Sequence, residues 1–278
     1  GLSHLNLKKE SAKIKAKTDD SQIDEAISSS DTAQNLEELK DVSYSHLHNH
    51  TQFSILQSTT KVKTLIRKAV ENNMPAVALT DSGNMMAAFH FVSAAEKHNG
   101  PFDKKIQAIK ESLKHCQDTD EEIDLNLEIN ALERKRIKPI IGCELNVCKD
   151  RFDRTYKDNG GQVVFLAKNK NGYRNLAKLS SLGYVEGFYY VPRVDKTILK
   201  ELKNDLIVTT GGLRGEIPDL ILNVGKEQAE VAFKWWLDEF GEDFYVELLR
   251  HNLEEEKRVN EVLIHFADKY NVKYFASN

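Results

Sequence analysis

The chain has 278 residues, with 39 basic and 43 acidic side chains, a net charge of −4 and 40% hydrophobic content, which is enough apolar mass for one large domain or two small ones. This balance excludes a whole-chain nucleic-acid footprint, and no apolar run approaches the roughly 20 residues of a membrane span or the pattern of a signal peptide. Three cysteines, Cys116, Cys143 and Cys148, lack zinc-type spacing and point to reduced thiols in a cytoplasmic protein.

Residues 1–42 read as a polar tether. Ser3 to Val42 contains no aromatic residue and no proline, a composition that cannot build a core. Asp31 is placed to cap a short helix over Thr32 to Lys40, with Leu36 and Leu39 as its small apolar face. The chain opens on Gly1 instead of Met and reads as cut at both ends, with another module expected upstream.

From residue 43 to 278 short apolar runs alternate with amphipathic stretches, the signature of parallel α/β architecture. Strands are expected at Tyr44 to His48, Ala76 to Thr80, Pro139 to Val147, Gln162 to Ala167, Leu206 to Thr210, Phe244 to Leu249 and Lys273 to Ser277. Helices are expected at Val62 to Asn73, Met85 to His98, Gly172 to Leu182, Lys196 to Leu202, Ile217 to Leu222, Gln228 to Phe240 and Glu254 to Tyr270. In the last, Val259, Val262, Leu263, Phe266 and Ala267 form a core stripe. A charged stretch at 102–138 interrupts the rhythm and reads as an inserted helical hairpin with a solvated acidic turn, Asp118 to Glu122.

Chemistry in such a barrel collects where the strands end. The first strand exit carries Ser45-His46-Leu47-His48-Asn49-His50-Thr51, whose alternate histidines share a face; this is either a ligand comb or a His-rich turn. Later exits carry Asp81-Ser82-Gly83-Asn84, Glu144 and Arg250-His251-Asn252. Histidines and carboxylates converging from separate strands are what a metal-assisted hydrolase needs. Each has a structural alternative: Asp81 as a turn or helix cap, Glu144 as a salt-bridge partner, His251 as a satisfied strand-end histidine. Gly160-Gly161 and Gly211-Gly212 fit turns, and the Trp235-Trp236 pair fits packing, with one ring inward. Arg193, on the aromatic run Tyr189-Tyr190-Val191-Pro192, is placed to approach an anion at the barrel mouth.

Six stretches carry a resemblance. Leu47 to Thr51, Ala78 to Asn84, Lys138 to Glu144, Leu166 to Asn169, Gly187 to Asp195 and Ala276 to Asn278, in this order, resemble the PHP (polymerase and histidinol phosphatase) domain, in the version found in the α subunit of bacterial DNA polymerase III. The resemblance implies an irregular seven-stranded (β/α) TIM-like barrel whose mouth, in active members, holds up to three metals and cleaves phosphoesters. His48, His50, Glu144 and His251 match the ligand pattern, whereas Gln57, Ser82 and Gln162 stand where it has His or acidic residues, and a closing Asp-x-His would follow Asn278. The implied site is a remnant holding one divalent ion, zinc or manganese, or none. If it is active, Asp81 and Arg193 are its water- and phosphate-positioning candidates. The implied role is structural, within a replicative DNA polymerase that reaches DNA through its full-length chain. The implied partners are the remainder of the α subunit and a proofreading exonuclease, fused or separate. The competing reading is a working metal-dependent phosphoesterase or 3′-5′ exonuclease.

Overall fold

The computed structural model describes residues 44–277 apart from 117; the tether at 1–42 and its expected helix lie outside the described residues. The elements run α1 (Val62–Glu71), β1 (Ala76–Leu79), α2 (Ala88–Leu113), α3 (Thr119–Glu133), β2 (Lys138–Cys148), β3 (Gly161–Ala167), α4 (Lys170–Val185), β4 (Arg193–Asp195), α5 (Lys196–Leu202), β5 (Leu206–Thr209), α6 (Glu216–Asn223), α7 (Lys226–Phe240), β6 (Phe244–Leu249), α8 (Glu254–Tyr270) and β7 (Tyr274–Ser277).

Seven strands form one curled sheet in the order β1-β2-β3-β5-β6-β7, with β4 paired to the far end of β2. The pairs β1–β2, β2–β4, β5–β6 and β6–β7 are parallel, but β3 runs antiparallel to both β2 and β5. The expected all-parallel order is therefore corrected. Only 12 residues separate β2 from β3, and they contain no crossover helix, so the chain turns back instead of crossing over.

Two other expectations shift. The run at Tyr44 to His48 is extended but not a ladder strand. It lies parallel to β1 through two main-chain bonds, Ala78 N to His46 O and Thr80 N to Asn49 O, both 2.9 Å, while the Tyr44 hydroxyl donates to Ala276 O of β7 at 3.4 Å. The two ends of the sheet are thus brought together by this segment. The seventh strand is instead β4, just after the aromatic run Tyr189 to Pro192, where no strand was expected.

The main core lies between the sheet and helices α4 to α8, where Phe165, Phe233, Trp236, Phe244, Leu263 and Phe266 are buried. The α8 stripe from Val259 to Ala267 is inward as its spacing required, and the helix stops at Asn271, which adopts the left-handed conformation at φ 54°. Of the tryptophan pair, Trp236 is buried and donates to Glu216 at 2.7 Å, while Trp235 is partly exposed beneath Lys196. A second cluster packs α1 and α2 on β1, with Val62, Ile66 and Ala69 of α1 facing inward at helical spacing.

The insertion at 102–138 is helical, but its first arm is not a separate element. Helix α2 continues through Gly100 and Pro101 to Leu113, with Pro101 on the exposed side, where water can satisfy the carbonyl a proline leaves unpaired. Asp118 caps α3 by accepting from Asp120 N and Glu121 N, so the acidic turn is a helix start. Ile106, Ile129 and Leu132 give the hairpin a small core of its own, and Asn99 ties it to the barrel by accepting from Ile137 N at 3.0 Å and donating to Ile137 O at 2.9 Å.

Candidate metal centre

The segment after Tyr44 alternates two jobs. Asn49 and Thr51 face the protein and staple the loop: the Asn49 amide group donates to His46 O and Ala78 O at 3.1 and 3.0 Å. Thr51 gives its N–H and hydroxyl to Asp81 at 2.6 and 2.7 Å, and Ser54 adds its hydroxyl at 2.6 Å. Asp81 is therefore a fully committed structural carboxylate. It ties the histidine loop to the end of β1, and Asn84, not Asp81, accepts from Met86 N at the next helix start. The intervening residues, His48 and His50, are left to face the barrel mouth with their rings 5.3 Å apart.

Glu144, on the inward face of β2 and 5% exposed, meets both rings. Its Oε2 lies 3.1 Å from His48 Nε2 and its Oε1 3.5 Å from His50 Nε2. Ligand atoms of His48, His50 and Glu144 all fall within 4.8 Å of one another. On its other side His48 Nδ1 lies 2.8 Å from Glu247 Oε1 of β6, and Glu247 Oε2 accepts from Thr209 Oγ1 at 2.9 Å.

The electrostatics follow from burial between carboxylates. Desolvation opposes a charged His48, but Glu247 and Glu144 outweigh it and push the ring up to about 10. Burial works against an ionised Glu144, yet the His48 and His50 imidazoles hold it well below the usual carboxylate range. Glu247 is lowered as well, since the charge of His48 and its bonded hydroxyl partner Thr209 override the burial cost.

Two neutral side chains border the same carboxylate. Ser82 Oγ lies 2.9 Å from Glu144 Oε1 and 2.7 Å from Gln57 Oε1. A hydroxyl has one proton for these two acceptors, so turning the Gln57 amide to present its NH2 to Ser82 satisfies all three groups. Neither supplies the donor strength of imidazole or carboxylate to a cation. Gln162 sits on β3 opposite Asn146 and is not in the ligand group.

Two expected residues are engaged elsewhere. The His251 Nδ1 lies 2.6 Å from Glu256 Oε1 on α8, with its side chain half exposed, and it is not in the group with His48, His50 and Glu144. Arg193 is fully buried; its guanidinium donates to the carbonyls of Gly187, Asp158, Arg151 and Asp153 at 2.9–3.1 Å. Four of the five N–H groups a guanidinium has are spent on main chain, so the expected anion contact is replaced by a loop-organising role. Glu247 was missed by sequence reading, although a lone carboxylate inside the apolar run Phe-Tyr-Val-Glu-Leu-Leu was a visible anomaly.

The donor set fits one divalent ion. His50 Nε2 is buried and makes no well-formed hydrogen bond, its nearest acceptor being Glu144 Oε1 at the long distance of 3.5 Å, which leaves the atom under-satisfied beside an ionised carboxylate and a second imidazole. His48, His50 and Glu144 make a three-ligand set that leaves a coordination position open, and Glu247 would fix the His48 ring from behind. When bound, an ion there supplies Lewis acidity and an acidified water.

Among known sequences, the PHP domain family pattern matches residues 46–251. The DNA polymerase III α subunits of Borreliella burgdorferi and Thermus aquaticus are 35% and 36% identical over 237 and 242 residues, covering 84% of this chain and 17% of each relative. That of Chlamydia muridarum is 38% identical over 216 residues, covering 76% of this chain and 14% of the relative. The chain thus spans about a sixth of the length of the curated relatives it matches. A solved structure from Bifidobacterium adolescentis, provisionally assigned as a metal-dependent phosphoesterase, aligns with a TM-score of 0.44 at 12% identity, covering 85% of this chain and 87% of that one. Likeness at that level carries no argument about the site.

Proposed function

The chain belongs to the PHP domain family, and on that premise we propose that it is the PHP domain of a replicative DNA polymerase III α chain whose metal site is reduced to a mainly structural remnant. The observation that carries this reading is the pair Ser82 and Gln57, neutral groups hydrogen-bonded at the edge of Glu144 where a multi-metal centre needs imidazole or carboxylate. One ion held by His48, His50 and Glu144 is the most this donor set supports. His48 and Glu144 link the first segment, β2 and β6 across the barrel mouth, and this is a brace whether or not an ion joins it. The parent chain would polymerise DNA through domains beyond these residues, in the cytoplasm, with the rest of the α subunit and a proofreading exonuclease as partners.

The second reading, a phosphoesterase or 3′-5′ exonuclease, is favoured by the under-satisfied His50 Nε2 and the open coordination position. In that case His48, His50 and Glu144 would hold the ion against which the scissile phosphate is oriented, and Glu247 would fix the His48 ring from behind. Metal analysis of the purified chain, followed by a phosphodiester assay with added zinc or manganese, separates the two. At most one equivalent of metal without turnover supports the structural reading; stoichiometric metal with turnover abolished by His48→Ala overturns it.

A further inference from the structure

Five of the seven exposed aromatic rings among the described residues come from two short segments beside the barrel mouth. Phe152 and Tyr156 stand on the loop that follows β2, and Tyr184, Phe188 and Tyr190 lie between the last turn of α4 and β4. A cluster of large rings left in water marks a binding surface.

Hydrogen bonds hold both segments against the mouth. Asn146, two residues beyond Glu144 on β2, donates its amide to Pro192 O at 3.0 Å, and Ser180 of α4 donates to Gly83 O, next to Ser82, at 2.8 Å. A Cβ at Gly83 would lie 2.8 Å from the Pro192 ring and 3.8 Å from the Tyr184 hydroxyl, so the aromatic face begins where Ser82 and Glu144 end. The buried Arg193 joins the two segments to each other, through the carbonyl of Gly187 on one and those of Arg151, Asp153 and Asp158 on the other. The surface is thereby preorganised.

The rings are interleaved with cations. Tyr184 and Phe188 are stacked, with centroids 6.3 Å apart and planes 16° from parallel. Tyr190 sits at the tip of a turn in which Tyr189 N donates to Val191 O at 3.1 Å. It is 63% exposed and adopts the left-handed conformation at φ 63°, which disfavours a bulky residue and here holds the ring outward. Lys157 Nζ lies 5.1 Å from the centre of that ring, and Arg154 donates to Glu186 O at 3.1 Å, between Tyr184 and Phe188 in the chain. The acids of the same segments are spent locally. Asp150, Asp153 and Asp158 accept from the N–H groups of Phe152, Thr155 and Gly160, each at 2.8 Å, and Glu186 is paired with Arg151 at 2.9 Å. Lys149, Arg154 and Lys157 are exposed, and none forms an ion pair with a carboxylate among the described residues.

Rings that stack planar groups beside cations that meet phosphates fit a single nucleic-acid strand, since every base has a π face and a duplex hides it. A proline-rich peptide would use the rings and leave the cations idle. The net charge of −4 excludes a footprint over the whole chain, not a local one. We propose that this face binds a single nucleic-acid strand alongside the barrel mouth, with bases on Phe188, Tyr190 and their neighbours and phosphates on Lys149, Arg154 and Lys157. The interaction asks nothing of an ion at His48, so it goes beyond both readings of the metal site and is tested apart from them.

Fluorescence anisotropy of a labelled oligothymidine of about 12 nucleotides, a length that one such surface can track, tests this on the full chain with a chelator present. Binding is expected to weaken steeply with salt and to be at least about tenfold tighter than that of a duplex of equal length. Phe188→Ala with Tyr190→Ala is expected to weaken the single strand by about tenfold or more. Arg154→Glu with Lys157→Glu is expected to weaken it as much and to flatten the salt dependence. Tyr173→Ala, at the opposite end of α4, is expected to leave the affinity as in the parent. No binding, equal affinity for duplex and single strand, indifference to either pair of substitutions, or an equal loss from Tyr173→Ala overturns the proposal. So does a polyproline peptide that binds and is not displaced by the oligothymidine. Photocrosslinking of the unsubstituted chain to an iodouracil-bearing strand decides if a variant misfolds: adducts are expected within residues 152–156 and 184–190, and adducts confined to other residues overturn it.

Discussion

Glu247 grips His48 from behind: Oε1 lies 2.8 Å from Nδ1 across 199 residues of sequence, and the glutamate side chain has no exposed surface. The pair is buried, charge-assisted and shared with Glu144 on the other ring nitrogen. Removing one member strands the others without solvent.

Glu247→Ala is therefore expected to destabilise the fold by about 3 kcal/mol, the cost of breaking a buried ion pair from one side. Chelated protein in urea measures it. A joint His48→Leu, Glu247→Leu replacement, which removes both charges, is expected to recover most of that loss; a double variant as unstable as Glu247→Ala would show that the pair stabilises the fold outright.

The neutral neighbours of Glu144 predict a gain of metal. Ser82→His with Gln57→Asp puts an imidazole and a carboxylate where Ser82 and Gln57 now hydrogen-bond at Glu144. The variant is expected to bind at least one more equivalent of zinc or manganese than the parent, read by metal analysis after dialysis. Stoichiometry unchanged from the parent would show that Gln162 and the strand exits still bar a cluster.

Arg193 is expected to matter for loop order and not for anions. Arg193→Lys loses the fork that spans four carbonyls and leaves buried acceptors unpaired, at a cost of about 3 kcal/mol. Hydrogen exchange is expected to quicken in residues 149–160 and 187–192, while the affinity for inorganic phosphate, measured calorimetrically, stays as in the parent.

Asp195 gives an acid-linked stability term. Burial works against its charge, but the N–H groups of Ile198 and Arg151 and the Arg151 guanidinium at 2.9 Å hold its carboxyl below the usual range. A lowered folded-state value means stability present above the unfolded-state pKa of about 3.9 and lost as pH falls through the folded-state value. Asp195→Asn is expected to cost about 2 kcal/mol at pH 7. Its difference from the parent in urea midpoint is expected to shrink between pH 5 and pH 3.

Much of the architecture was legible because it rests on local periodicity. The stripe from Val259 to Ala267 could only face a core, and the alternation of short apolar runs with amphipathic segments could only be an α/β sheet. The direction of β3 was not legible, because the run Gln162 to Ala167 is equally apolar whichever way it points; the short link from β2 decides. The helix end expected at His98 failed for another reason: an exposed proline can lose its helical bond to water, so α2 runs on through Gly100 and Pro101.

The sequence by itself determined the family and three of the groups that meet at the mouth, since His48, His50 and Glu144 lie in short motifs whose order and spacing are written in the chain. Tertiary structure alone decided what each side chain is committed to. Whether Asp81 activates water or holds Thr51, whether Arg193 meets an anion or four carbonyls, whether His251 joins His48 or turns to Glu256, and whether Glu247 is a stray charge or the back of His48 all depend on which donors and acceptors lie within about 3 Å. Register and curl set those distances between strands scores of residues apart, and no local pattern records them.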